Sequence, residues 1–330
     1  MNILLIGGTG NISTECAALL HQRGHKILVP SRGNNPVPTE YSSIVADRKD
    51  LTAMRTALKG LPIDVVLNFI GFDIPELKVD YEVFKNSIQQ YVFISSATVY
   101  AKPPKSLPIT ENSPLGNAWW DYAQRKLACE QFLQQCWSES KFPLTIVRPS
   151  HTYSKHWIPS LISSSTYSFA ARLEHGKPVF VPDKGENPWT LTAASDFAVG
   201  FAGLVGNPAA LGEAFHITSD EVLTWNQISL EIARAIGAAS PRIIQIPTDF
   251  ICQVAPELIG PFKGDKVHPG VFDNSKVKRL VPDFQCRKPF HVGIGESVAW
   301  LRAHPDQQNL KPEMDVTIDR IIDAWAKQGL

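Results

Sequence analysis

Met1-Asn-Ile-Leu-Leu-Ile-Gly-Gly-Thr-Gly-Asn-Ile-Ser13 opens the chain and decides its fold. Residues 3–6 form an unbroken apolar run, the pattern of a parallel strand covered on both faces. Gly7, Gly8 and Gly10 follow at once, and then Ile12, Cys16, Leu19 and Leu20 recur at helical spacing, with Gly24 as the stop. A strand, a glycine turn and a helix start make an anion cradle. Free backbone N–H groups and the positive end of the helix dipole face one point there. Side chains at the glycine positions would block the close approach of a pyrophosphate. Ser13 stands where a third glycine is usual, and it is small enough for close helix–strand packing.

Strands and helices alternate outward from this unit. Residues 25–30, 43–46, 64–70, 91–95 and 144–148 read as strands, and 51–58, 75–89 and 120–136 as the helices that connect several of them. That alternation predicts an α/β Rossmann fold, a doubly wound parallel sheet with right-handed crossovers. After Pro149 the periodicity loosens, with a further strand at 214–218 and short helices near 225–236, 298–302 and 316–327. The expected organisation is a dinucleotide-binding domain over 1–150, with a return segment near 192–218. A smaller α+β substrate-binding lobe takes most of 151–330, with the cleft between the two.

Bulk properties narrow the class. With 44% hydrophobic and 19% charged residues among 330, the chain has the makings of a globular core. Its formal net charge is zero, which offers neither nucleic acid nor an anionic membrane a concentrated basic surface. Lys276, Lys278 and Arg279 read as a solvated face. Cys16, Cys129, Cys136, Cys252 and Cys286 are scattered and odd in number. They suggest neither a disulfide framework nor a metal site, and fit a reducing compartment. No run reaches the length of a membrane span and the opening reads as a strand, so a cytoplasmic location is expected.

Three stretches carry chemistry. Tyr122 and Lys126 are four apart on a helix, so their tips can converge on one face. A nearby ammonium and an oxidised nicotinamide would both favour the phenolate, making Tyr122 a usable acid or base. Ser95 and Ser96 end the fifth strand at the sheet edge where ligands bind, and a hydroxyl there can hold a substrate oxygen. Ser31 and Arg32 follow the second strand, where an NAD enzyme places an acid for the adenosine ribose. A hydroxyl and a guanidinium suit a 2′-phosphate better, which favours NADP over NAD.

These motifs in order, Gly7-Gly-Thr-Gly10, Ser96-Ala-Thr-Val-Tyr100 and Tyr122-x-x-x-Lys126, resemble the extended short-chain dehydrogenase/reductase family. They are similar to the epimerase/dehydratase branch that includes UDP-galactose 4-epimerase and the chloroplast stem-loop-binding proteins. Asp47, Arg148-Pro-Ser-His-Thr-Tyr153 and Asp196 extend the likeness to about residue 200. The resemblance implies that Tyr122 exchanges a proton with a substrate hydroxyl, that Lys126 holds the nicotinamide ribose and lowers the Tyr122 pKa, and that Ser96 binds the reacting oxygen. It implies cofactor contacts at Gly7, Thr9, Gly10, Asn11, Ile12, Ser31, Arg32, Asp47, Asn68 and Lys126, and a homodimer.

Three departures bear on the substrate. The family's diphosphate-contacting asparagine is His151, the arginine that grips sugar-nucleotide phosphates is replaced by Trp189, and the segment 69–91 is short. An indole cannot reproduce a bidentate phosphate grip. His151 and Trp189 are therefore the expected substrate contacts, to a sugar or polyol lacking a nucleotide handle or to a sugar nucleotide. Trp119 and Trp120 read as packing before a helix, and Lys266 and His268 as surface. The sequence holds no hydrolase elbow and no metal-binding motif. A second reading keeps the nucleotide pocket in a non-catalytic protein with an RNA or protein partner. The zero net charge and the complete Ser96, Tyr122, Lys126 set weigh against it.

Overall fold

The computed structural model describes residues 1–32, 37–162 and 167–328. β1 (Asn2–Ile6) is buried at the centre of the main sheet, and the glycine turn leads into α1 (Asn11–Gln22). β2 (Lys26–Ser31), β3 (Ser42–Val45), α2 (Leu51–Leu58), β4 (Val65–Asn68), α3 (Ile74–Phe84), β5 (Gln90–Ile94), α4 (Asp121–Ser140) and β6 (Leu144–Pro149) complete the first half. Asp50 and Asp73 cap α2 and α3 by accepting from the N–H groups of Ala53 and Glu76. α3 stops at Phe84, short of the expected 89. The chain turns at Ser87, whose N–H returns to the Phe84 carbonyl.

The second half holds β7 (His151–Tyr153), α5 (Ser168–Glu174), β8 (Val179–Pro182), β9 (Pro188–Trp189) and β10 (Leu191–Ala193). It continues with α6 (Ala194–Leu204), β11 (Ala214–Ile217), β12 (Leu223–Thr224), α7 (Trp225–Ile236), β13 (Ile243–Ile246), α8 (Thr248–Val254) and the single turn α9 (Ile259–Pro261). A π-helical turn (Phe262–Lys266) leads on to α10 (Ser275–Leu280), α11 (Phe290–Ala303) and α12 (Pro312–Ala326). The pair β8–β13 and the helices α5 and α8 escaped the sequence reading, because each is a short piece flanked by proline or by irregular chain.

Seven strands form the main sheet in the order β3-β2-β1-β4-β5-β6-β11, and every pairing is parallel. The chain winds outward from β1 to β3, then restarts beside β1 with β4. The crevice between β1 and β4 is the switch point at which open α/β sheets bind ligands. α1 and α6 cover one face with Cys16, Leu20, Phe197 and Phe201. α2, α3 and α4 cover the other with Met54, Leu77, Phe84 and Leu133. β11 joins the sheet edge beside β6, so the run 191–217 returns from the second lobe to the first. The second lobe closes on its own core, including Phe180, Trp189, Trp225, Ile232, Ile294 and Ile318.

Candidate active site

Two clefts lie along the carboxyl edge of the sheet, of about 520 and 420 Å³, and Gly7, Ile70 and Phe72 line both. The glycines shape the junction. Gly7 has φ +85°, and a Cβ there would sit 2.6 Å from Ile70 Cγ2; a Cβ on Gly8 would meet Leu5 Cδ2 at the same distance. Ser13 is buried and accepts from the Gly10 N–H at 2.8 Å, so the hydroxyl helps to hold the turn. Gly10, Asn11 and Ile12 bring the start of α1 to the first cleft, which fits an anion there.

The second cleft is lined by Thr9, Ser31, Arg32 and Asp47, joined by Arg48 and Lys49. Arg48, which sequence reasoning passed over, is largely buried and donates to the Ile70 carbonyl at 2.8 Å. Its guanidinium also lies 3.6 Å from Glu76 and 3.5 Å from Asp80. It therefore ties the end of β3 to the loop after β4, the loop shared by both clefts.

The first cleft receives Ser95 and Ser96 from the end of β5 and Tyr122 and Lys126 from the start of α4. Ser96 Oγ accepts from the Thr98 N–H at 3.2 Å and the Thr98 hydroxyl at 2.9 Å, which fixes it at the head of a single 3₁₀ turn. The Tyr122 phenol lines the same cleft, near enough for the Ser96 hydroxyl to act on its pKa. The Tyr122 ring packs 5.0 Å from Trp120 and 6.4 Å from Phe72, centroid to centroid. One turn further along, Lys126 Nζ donates to the Gly71 and Ile94 carbonyls, both at 2.8 Å, beneath the Phe72 ring at 4.6 Å. An ammonium has three donors, so one remains for a ligand.

The electrostatics differ from the expected depression of the phenol. Burial raises the Tyr122 pKa, Asp265 adds to the rise, and the nearby Ser96 hydroxyl opposes it; Lys126 is not among the groups acting on it. Burial also pushes the Lys126 ammonium down to about 8. In this protein Tyr122 carries its proton at neutral pH.

The second lobe supplies Ser150, His151, Thr152, Trp157, Asp265 and Lys266 to the first cleft. Trp189 Nε1 donates to His151 Nδ1 at 3.3 Å, and burial beside Lys266 pushes the imidazole pKa down. An indole N–H only donates, so His151 is neutral with its proton on Nε2.

Three expectations are corrected. Trp189 does not line the cleft: it is 1% exposed and packs at a tilt 5.2 Å from Trp225 in the second-lobe core. It reaches the site through His151 and Lys266, which do line the cleft. Asn68 lines neither cleft: it is fully buried, its amide N–H groups go to Asp80 at 2.7 Å and Tyr91 at 2.8 Å, and its oxygen takes the Ile70 N–H. Lys266 is no surface residue, since it lines the first cleft. Asp265 beside it was missed because a π-helical turn carries no periodic signal in sequence. Among the described residues no group of His, Cys, Asp or Glu could hold a metal ion, and no helix is long and apolar enough to cross a membrane.

A glycine turn at a helix start running into a cleft with a serine, a tyrosine and a lysine resembles the arrangement of nicotinamide-dependent enzymes of the extended short-chain dehydrogenase/reductase type. Residues 76–217 match the model of the NAD dependent epimerase/dehydratase family. The chain is 24% identical over 295 residues to 2'-dehydrokanamycin reductase of Streptomyces kanamyceticus, covering 87% of this chain and 81% of that one. It is 27% identical over 264 residues to the chloroplast stem-loop binding protein of 41 kDa b of Arabidopsis thaliana, covering 75% and 67%. The fold is shared with UDP-glucose 4-epimerase from Bifidobacterium longum in complex with NAD+ and UDP. The TM-score is 0.75 at 19% identity, over 93% of this chain and all of that one.

Proposed function

We propose that the chain is an NAD(P)-dependent oxidoreductase or epimerase acting on a secondary hydroxyl or ketone of a sugar or sugar-nucleotide-like substrate. The observation that carries this reading is the convergence of Ser96, Tyr122 and Lys126 on one cleft that opens at Gly7 onto the second cleft. The residues fit a dinucleotide. Gly7, Gly8 and Gly10 leave room where a side chain would stand, and the start of α1 faces the pyrophosphate position. Thr9, Asn11, Ile12 and Asp47 line the same path. Ser31 and Arg32 favour NADP, because a guanidinium pairs with a 2′-phosphate and the residues at the end of β2 include no acid for a free ribose.

When bound, the nicotinamide supplies or accepts the hydride. The chain's own part is proton handling at the substrate oxygen. Ser96 hydrogen-bonds that oxygen and holds it beside the phenol. In the reductive direction Tyr122 donates its proton to the carbonyl oxygen as the carbon gains the hydride; in the oxidative direction it takes the proton back. The raised Tyr122 pKa supports the reductive role, since the phenol is held in its acid form. Lys126, fixed by two backbone carbonyls, offers its third N–H to a ribose hydroxyl. The phenyl face of Phe72 and the indoles of Trp120 and Trp157 exclude water around the reacting carbon.

The test is a screen of sugars, polyols and sugar nucleotides with NADP and NAD each supplied, following absorbance of the reduced nicotinamide together with product analysis. A redox enzyme changes the absorbance, and an epimerase gives product without a net change. A protein that takes up neither nucleotide contradicts the reading.

A further inference from the structure

We propose that Asp265 selects the substrate by accepting a hydrogen bond from a hydroxyl or amine on the carbon next to the reacting one. The cleft then takes polyhydroxylated or amino-substituted rings and turns away rings that carry a diphosphate. This inference rests on the reading of Ser96 and Tyr122 as the reacting end.

Asp265 is held firmly in the wall of the cleft that receives Ser96 and Tyr122. It belongs to the π-helical turn, which is docked on the segment just before α4. Asn117 Nδ2 donates to the Gly264 carbonyl at 2.6 Å and to the Thr98 carbonyl at 2.8 Å, joining the turn to the loop that carries Ser96. Trp120 lies against the same turn: a Cβ on Gly260 would stand 2.7 Å from its Cδ1, and one on Gly264 2.9 Å from its Cβ. Trp120 in turn packs on the Tyr122 ring. The carboxylate is thus fixed relative to the phenol by two independent contacts, close enough for its charge to raise the phenol's pKa.

Its chemistry points the same way. Asp265 is the one carboxylate lining the first cleft among the described residues. Its Oδ2 takes Lys266 Nζ at 3.0 Å, while Lys102 Nζ stands 3.6 Å from Oδ1, too far for a hydrogen bond. A carboxylate offers about four acceptor sites, so acceptors remain toward the cleft. The cations give a diphosphate little to hold. Among the described residues no arginine lines the cleft, Lys126 is tied to backbone carbonyls, and Lys266 is tied to Asp265 over the Trp189 indole at 4.7 Å. A diphosphate placed there would meet a carboxylate and no planar fork. A ring with hydroxyl or amine donors finds an acceptor, and apolar faces at Trp120 and Trp157.

Equilibrium binding to the NADPH-loaded protein tests this, read by tryptophan fluorescence with four probes: myo-inositol, glucosamine, cyclohexanol and UDP-galactose. Myo-inositol or glucosamine is expected to bind about tenfold or more tighter than cyclohexanol and UDP-galactose, and whichever is tighter identifies the donor as hydroxyl or amine. Asp265→Ala removes the preference. Because that change leaves buried Lys102 without its counter-charge, the double variant Lys102→Met, Asp265→Leu is measured beside it, with thermal melts of both. Cyclohexanol or UDP-galactose binding as tightly as the donor-bearing probes overturns the proposal. So does a preference that survives in a folded variant, or the absence of binding by any probe. A wild-type protein that takes up no NADPH contradicts the proposed function itself, whereas NADPH uptake without probe preference removes only the role of Asp265.

Discussion

Arg32 stands at the end of β2, in the cleft that also holds Asp47, with no acidic residue at the β2 end to engage a ribose diol. Arg32→Ala is expected to raise the dissociation constant for NADP about tenfold, the size of one charge-assisted hydrogen bond. It should leave NAD binding nearly unchanged, as measured by titration of nucleotide fluorescence. Equal losses for both nucleotides would remove Arg32 from phosphate recognition. Single residues of this kind were legible in sequence where the motif fixes both type and place: Ser96, Tyr122 and Lys126 do share one cleft. Asn68 and Trp189 were misread for one reason. Sequence spacing gives the position along a strand, but whether the side chain faces the cleft or the core is decided by partners distant in the chain, Asp80 and Tyr91 for Asn68 and Trp225 for Trp189. Asp265 had no legible signal, because its position depends on how the second lobe folds back.

α11 shows how an element can hide. The helix starts at Phe290, eight residues before the sequence reading placed it, because Gly293 and Gly295 weaken the apparent helical propensity. Gly293 is there for packing: a Cβ would lie 2.1 Å from the Tyr153 hydroxyl, on a buried ring that packs edge-on against Phe290. Helix propensity alone would make Gly293→Ala about 1 kcal/mol more stable. Overpacking a buried aromatic ring costs about 1–3 kcal/mol and is expected to win. Urea unfolding should therefore show a net loss of stability, and a gain would mean that Tyr153 shifts without cost. The strongly periodic elements behave differently. α2 spans the residues expected of it, since an apolar stripe and an Asp cap mark both its face and its start.

On the scale of the whole molecule, the apolar runs of β1, β4, β5 and β6 made the parallel sheet legible, because strands buried on both faces cannot alternate with polar residues. Beneath that sheet lies a polar cluster that no sequence pattern announced. Asp80 is 1% exposed and accepts from the Tyr91 hydroxyl at 2.6 Å and the Asn68 amide at 2.7 Å, with Arg48 and Glu76 alongside. Burial outweighs these partners and pushes its carboxyl up to about 6 from 3.8. The folded state therefore holds this proton over a range in which the unfolded chain has released it. Its stabilising contribution is complete below about pH 4 and is lost as pH rises through about 6, by on the order of 2–3 kcal/mol at ~1.4 kcal/mol per pKa unit. Unfolding free energies measured across that window should fall with pH in the wild type and stay flatter in Asp80→Asn. An identical slope in both would assign the dependence to other groups.

The proton transfer assigned to the Tyr122 phenol is tested most directly by Tyr122→Phe, which removes one hydroxyl and leaves the ring against Trp120 and Phe72. Turnover and NADPH affinity are measured on the same preparation with a substrate found in the screen. Turnover is expected to fall about 10²–10⁴-fold, the usual contribution of a positioned acid or base, while the NADPH dissociation constant is retained. Turnover equal to the wild type would contradict that assignment.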